Sequence, residues 1–222
     1  MNFNMSVSEN IIQLKREIPD TVTLVAVSKT KAVPEIMEAY NTGHRIFGEN
    51  KIQEMEAKWK EMPKDVEWHM IGHVQRNKVK YMAPFVSLIH AVDSLKLLKE
   101  INKQARKNNR VINCLIQIKI AEEESKFGLS EAAAREILAS EAFQSMEHVN
   151  VLGVMGMATF TENEAQLVKE FQKLKAFFDT YKNKYGFTEI SMGMSGDYAV
   201  AIAQGSTMIR VGSAIFGKRN YS

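Results

Sequence analysis

The chain has a single cysteine, no long hydrophobic run and little net charge of either sign. One cysteine, Cys114, cannot form an internal disulfide, and no ligand spacing typical of zinc accompanies it. It stands in the apolar stretch 111–118, where a small buried core residue is the plain reading. No apolar run approaches the ~18–20 residues needed to span a bilayer. The start, Met1 to Ser6, lacks the basic region and apolar core of a signal peptide. With 29 Lys and Arg against 26 Asp and Glu, the net charge is only +3 and the signs are mixed along the chain. That balance argues against nucleic acid or an anionic membrane as partner. Only 4 Pro and 12 Gly occur in 222 residues, with no Ser/Gly-rich tract to serve as a linker. A single domain over residues 1–222 is expected, soluble and in a reducing compartment, the cytoplasm.

What the chain does have is a rhythm. Short β-branched runs alternate with longer segments of helical period. The strand-like runs are Leu24–Ser28, Arg45–Gly48, Val66–Gly72, Ser87–Val92, Val111–Ile120, Val149–Met157, Glu189–Gly193 and Met208–Gly212. Helical spacing is expected after Pro34, over Ser94–Arg106 and Ser130–Ser140, and most clearly over Glu162–Tyr181, where Leu167, Phe171, Leu174 and Phe178 share a stripe. Strands separated by helices imply parallel βαβ units, satisfied by a doubly wound sheet or by a closed barrel. The count of eight favours a (β/α)8 barrel, or TIM barrel, and 222 residues suit one. An extra helix over Ser8–Glu17 precedes the first strand and is expected to cap the barrel's lower end.

Parallel strands present functional groups beyond their C-terminal ends. Lys29 closes the first run, where burial would depress its pKa and free the amine for imine formation. A solvated loop lysine is the alternative, and Lys31 could equally face solvent. Ser195-Gly196 and Arg210-Val-Gly212-Ser213 follow runs seven and eight. Glycines there would let backbone N–H groups approach an anion, and barrels often bind phosphate at this place. Ordinary turns, with Ser or Asp capping a helix, fit equally. Arg210 interrupts an apolar strand and is expected to point into the barrel, needing a carboxylate or a ligand as acceptor. His69 and His73 lie on a strand pattern with Gly72 between them, which argues against a metal pair. His44, His90 and His148 have no evident partners. Glu122–Lys126 reads as a solvated loop and Ser130 as a helix cap. The methionines of Met155-Gly-Met157 and Met192-Gly-Met194 suit a pocket wall, with core packing as the default.

Several ordered segments carry a resemblance. They are Leu24-Val-Ala-Val-Ser-Lys-Thr-Lys31, Phe47-Gly-Glu-Asn-Lys-Ile-Gln-Glu54, the stretch from Trp68 to Lys78, His90-Ala-Val-Asp-Ser94, Ser191-Met-Gly-Met-Ser-Gly-Asp197 and the stretch from Ile209 to Gly217. Together they resemble the pyridoxal phosphate homeostasis family, the YggS/PROSC type, nearly end to end. The resemblance implies one barrel like the N-terminal domain of alanine racemase, with pyridoxal 5′-phosphate held as a Schiff base on Lys29. It further implies that Ser195, Gly196, Gly212 and Ser213 hold the phosphate and that Arg210 sits by the pyridine nitrogen. Asn50, Met192 and Met194 would stand near the cofactor. The chain departs from the family at Lys51, often aromatic, and at Gly196, often acidic. An always-charged arginine at the ring nitrogen weakens the ring as an electron sink. No second domain is expected to supply a base on the opposite face. The implied role is therefore pyridoxal phosphate, or vitamin B6, homeostasis by a monomer that passes the cofactor to enzymes requiring it, with Lys31 and Lys126 as secondary imine positions. A narrow amino-acid racemase and a lysine Schiff-base aldolase are the competing readings.

Overall fold

In the computed structural model, which describes residues 5–123 and 127–217, eight parallel strands pair in chain order and β8 returns to β1. The strands are β1 (Thr23–Val27), β2 (Ile46–Glu49), β3 (Glu67–Met70), β4 (Leu88–Val92), β5 (Ile112–Gln117), β6 (Val149–Met155), β7 (Glu189–Met194) and β8 (Met208–Val211). The expected closed barrel is the observed one. Strand ends fall one to three residues inside several expected runs, because the chain leaves the ladder to enter the cavity loops.

Each helix forms for a local reason. Ser6 and Glu9 make a reciprocal capping box on α1 (Val7–Glu17). Pro34 stands in the first turn of α2 (Val33–Asn41). Helix α3 (Ile52–Glu61) buries Ile52, Met55 and Lys58, and α4 (Val79–Met82) follows a 3-10 turn. Ser94 caps α5 (Leu95–Lys107), and Ser130 caps α6 (Glu131–Ala139) as expected. After the short α7 (Glu141–Gln144), the long α8 (Glu164–Tyr185) is capped by Asn163 and stopped by Gly186 in the left-handed region. Short helices α9 (Tyr198–Ala203) and α10 (Ser213–Phe216) follow β7 and β8. Sequence periodicity does not announce α3, α9 or α10. Helix α1 packs against α2 and α10, and Asn10 donates to the Ile215 carbonyl, 2.9 Å. It therefore stands beside the barrel instead of beneath it, because four-residue α10 leaves room on that flank. Among the described residues, no helix is long and apolar enough to cross a membrane.

Alternation of side chains along each strand divides the core in two. The outer layer, between strands and helices, takes Leu24, Ala26, Phe47, Trp68, Met70, Cys114, Ile116, Ile190, Ile209 and Val211. Cys114 is buried there, which pushes its thiol pKa up. The inner layer is small: Val25, Leu88, Ala91, Leu115, Met155 and Met208. Residues two places further along these strands continue inward, so Val27 follows Val25 and Arg210 follows Met208 to the cavity above.

The alternation breaks at defined points. Between β5 and β6 the register passes from Cys114 opposite Val151 to Leu115 opposite Gly153, leaving Leu152 as an extra residue. Gly153 has φ 156°, and a Cβ there would collide with the Glu189 carbonyl oxygen on β7. Gly153→Ala is therefore expected to cost at least about 3 kcal/mol of stability. Urea denaturation checks this, and an unchanged midpoint would contradict it.

Candidate functional site

A cavity of about 900 Å³ opens at the C-terminal ends of the strands. Lys29 reaches it from beyond β1, Asn50 from beyond β2, Met194, Ser195 and Gly196 from β7 and its turn, and Arg210, Gly212 and Ser213 from β8 and its turn. The barrel thus gathers on one surface eight of the nine residues singled out in the sequence.

Met192 is the exception and requires a correction. It is fully buried in the outer core, among side chains that pack against helices. Met192 follows Ile190 outward by the ordinary alternation of β7. Gly193, whose φ of 97° interrupts the strand where the β7–β8 register shifts between Ser191 and Met194, redirects only what comes after it. Ser191 faces inward, Met192 outward, and the kink turns Met194 back to the cavity. Met157 joins it there, whereas Met155 fills the inner core.

Lys29 is held by its neighbours. Fully buried Ser28 donates from Oγ to Glu49 Oε1, 2.6 Å, and Thr30 donates its backbone N–H to Glu54 Oε1, 2.6 Å. Thr30 itself adopts a φ of 65°, rare for a β-branched residue, which these bonds help to maintain. Both carboxylates accept from Lys58 Nζ, 2.7 Å each, which also donates to the Ser28 carbonyl at 2.8 Å. Glu49 and Lys58 are buried between the strands and α3. Burial raises the Glu49 carboxyl pKa, against the lowering pull of Lys58, and Oε2 of Glu49 has no hydrogen-bond partner among the described residues. Sequence reasoning missed this brace; the available signal was Lys58 on the buried stripe of α3, four residues after Glu54. Lys31 also lines the cavity, its Nζ paired with Glu35 at 3.1 Å. Lys126 and the tail from 218 lie outside the described residues.

The turns after β7 and β8 interlock. Gly212 donates its N–H to Ser195 Oγ, 3.1 Å, and Met194 donates its N–H to Asp197 Oδ1, 2.5 Å. Asp197 therefore closes its own turn and makes no side-chain cap on α9. Its half-buried carboxyl has a raised pKa, mainly from desolvation. A Cβ on Gly196 would meet open space, whereas one on Gly72 would collide with the Asn50 backbone, so Gly72 permits the close approach that sets Asn50.

Arg210 is buried and points inward. It donates from Nη1 to Ser191 Oγ at 2.6 Å and from Nη2 to the Gly156 carbonyl at 3.0 Å. Among the described residues it makes no ion pair; Asp197 acts on it only at a distance. Desolvation lowers its pKa to about 10, so it stays charged at neutral pH. A structural ion pair, the alternative drawn from sequence, is absent from its described contacts.

The histidines separate. His73 sits at the rim, bonded to Asp93 Oδ2 at 3.1 Å and stacked on Phe127, while His69 lies inside the barrel against His90 at 3.0 Å. His90 in turn meets Ser191 Oγ at 3.0 Å, a partner no sequence pattern disclosed. His44 bonds the Ile46 carbonyl and His148 the Arg110 carbonyl. Glu122, expected in a solvated loop, pairs with Lys169 at 2.8 Å.

Fold and site together define a β/α barrel of the alanine racemase N-terminal class. A family model described as "Alanine racemase, N-terminal domain" matches residues 5–220. A pyridoxal phosphate homeostasis protein of Aquifex aeolicus is 39% identical over 201 residues, covering 89% of this chain and 87% of the relative. That of Vibrio alginolyticus is 38% identical over 211 residues, covering 92% and 89%. The chain belongs to the pyridoxal phosphate homeostasis family. PipY of Synechococcus elongatus, solved with pyridoxal phosphate bound, superposes with a TM-score of 0.87 at 32% identity, covering 96% of this chain and all of PipY. Alanine racemase of Clostridium difficile shares the fold, with a TM-score of 0.79 at 13% identity over 98% of this chain and 57% of the racemase.

Two outcomes follow from the buried charges. Lys58→Met strands Glu49 in the core and is expected to cost about 3–5 kcal/mol of stability, read by urea denaturation; a loss under about 1 kcal/mol would contradict the brace. Burial drives the pKa of His44 down to about 4, that of His69 to about 3 and that of His90 well below its ordinary 6.5. Below pH 6.5 the unfolded chain binds protons that the folded chain refuses. Stability should then fall by about 1.4 kcal/mol per pH unit for each histidine. Unfolding midpoints at pH 7 and pH 5 test this, and equal midpoints would refute it.

Proposed function

We propose that the cavity binds pyridoxal 5′-phosphate with Lys29 as its covalent anchor, through a Schiff base, and that the protein serves cellular vitamin B6 homeostasis in the cytoplasm. Residues 1–222 act as one domain in this reading, and enzymes requiring the cofactor are its recipients. The observation that carries it is the convergence of Lys29, the Ser195–Gly212 turn pair and Arg210 on one cavity.

The donor set suits the group. Hydroxyls of Ser195 and Ser213 and the backbone of Gly196 offer neutral donors to a phosphate, at the place where such barrels often hold one, and Gly212 orients Ser195 by donating its N–H to Oγ. Asn50 and Met194, which also line the cavity, would stand near the ring. Arg210 keeps its proton and has N–H bonds beyond the two used on Ser191 and Gly156, so it can donate to the ring nitrogen. When bound, the cofactor supplies an aldehyde for imine formation and a ring that can accept electrons. A permanently charged guanidinium disfavours protonation of the ring nitrogen and so weakens that second capacity. This favours holding and release over amino-acid turnover.

The test is the visible spectrum of the purified protein with added cofactor, wild type beside Lys29→Ala, followed by borohydride reduction and peptide mass analysis. Wild type should show the band of a lysine-bound cofactor and a reduced adduct on the Lys29 peptide, both missing in the variant. An adduct on another lysine, or identical spectra, would refute the assignment.

A further inference from the structure

Beneath the cavity, a line of polar side chains crosses the apolar barrel interior from β8 to β3. It runs from Arg210 to Ser191 at 2.6 Å, from Ser191 to His90 at 3.0 Å and from His90 to His69 at 3.0 Å. We propose that Ser191, His90 and His69 form a neutral, one-way hydrogen-bond relay that positions Arg210 as the donor to a ring-nitrogen acceptor in the cavity. The proposal rests on the ligand reading above and adds three positioning residues to it.

The direction follows from what each group can do. A guanidinium only donates, so Ser191 Oγ accepts from Arg210. Ser191 is fully buried, and its own O–H needs an acceptor. The other described contact of that oxygen is Nδ1 of His90, which must then be unprotonated. His90 carries its proton on Nε2 and gives it toward His69 Nδ1. His69 in turn is protonated on Nε2. The reverse order would leave the buried Ser191 hydroxyl proton with no acceptor, a costly arrangement in an apolar interior.

Burial keeps both rings neutral, and the charge of Arg210 adds to the downward push on His90. The described hydrogen-bond acceptors of this buried positive charge, the Ser191 hydroxyl and the Gly156 carbonyl, are thus both neutral. Ser191 fixes one terminal nitrogen of Arg210, and the Gly156 carbonyl fixes the other from the end of β6. Two anchors on different strands set the plane of the guanidinium. Its unused N–H bonds are left for the cavity. Both the Ser191–His90 and His90–His69 bonds join inward-facing positions, the first between strands that are not neighbours in the sheet. No charge other than that of Arg210 is needed to hold the line together.

The first measurement needs no ligand. Long-range 1H–15N correlation spectra of histidine-labelled protein at neutral pH should show His90 and His69 as neutral Nε2–H tautomers. Ser191→Ala should move the His90 Nδ1 resonance and leave His44 and His148 unchanged. A His90 ring protonated on Nδ1, or charged, would overturn the relay. The second measurement titrates pyridoxal phosphate. Ser191→Ala and His90→Leu should bind it about tenfold more weakly while the Lys29-dependent band still forms. His90→Gln keeps one acceptor and one donor on a side chain and should recover most of that loss. Equal affinity across these variants and wild type would also overturn the relay. Absence of the band in wild type would instead refute the Lys29 anchor, leaving the tautomers to decide the relay alone. Should His90→Leu fail to fold, Ser191→Ala and the wild-type spectrum carry the decision.

Discussion

Side chains alternate across a strand, and closing eight parallel strands on themselves turns that alternation into an inside and an outside. Most of what the site contains depends on this constraint. Outward residues pack under helices and form the larger core, while inward residues must fill a narrow interior or, at its upper end, line a cavity. Arg210 is inward because Met208 is, and Val27 because Val25 is. The rule also explains its exceptions. A glycine with positive φ at position 193 resets the alternation, separating Met192 from Met194 although they stand two residues apart.

Two buried cations show how similar groups acquire different roles. Lys58 is surrounded by two carboxylates and a carbonyl, and its charge is answered within the protein. Such a group braces; here it holds both residues that flank Lys29. Arg210 meets a hydroxyl and a carbonyl, and no described carboxylate pairs with it. A desolvated cation with donors to spare and an open cavity beside it is prepared for an acceptor from outside. The contrast lies in the acceptors, since burial is shared by both.

Much of the site was legible because it is built from strand ends. Lys29, Ser195, Gly196, Arg210, Gly212 and Ser213 each lie at or just past a β-branched run, and a barrel brings such ends together whatever their spacing in the chain. The brace and the histidine line were not legible for the complementary reason. Glu49 and Lys58 meet behind the barrel wall, where a strand residue reaches a helix nine positions later. His90 meets Ser191 across 101 residues of sequence. The pairing itself leaves no trace in either case; only the place of Lys58 on the buried stripe of α3 hints at the brace.

The amino-acid order alone pointed to the eight-fold alternation, the barrel and the strand-end residues Lys29, Ser195, Gly196, Arg210, Gly212 and Ser213 of the cavity. It could do so because hydrophobic period and strand-end position are local properties. Only the tertiary structure decided which methionine reaches the cavity, where α1 packs, and what answers each buried charge. Those depend on register shifts and on contacts between strands and helices distant in sequence, whose geometry exists only once the barrel has closed.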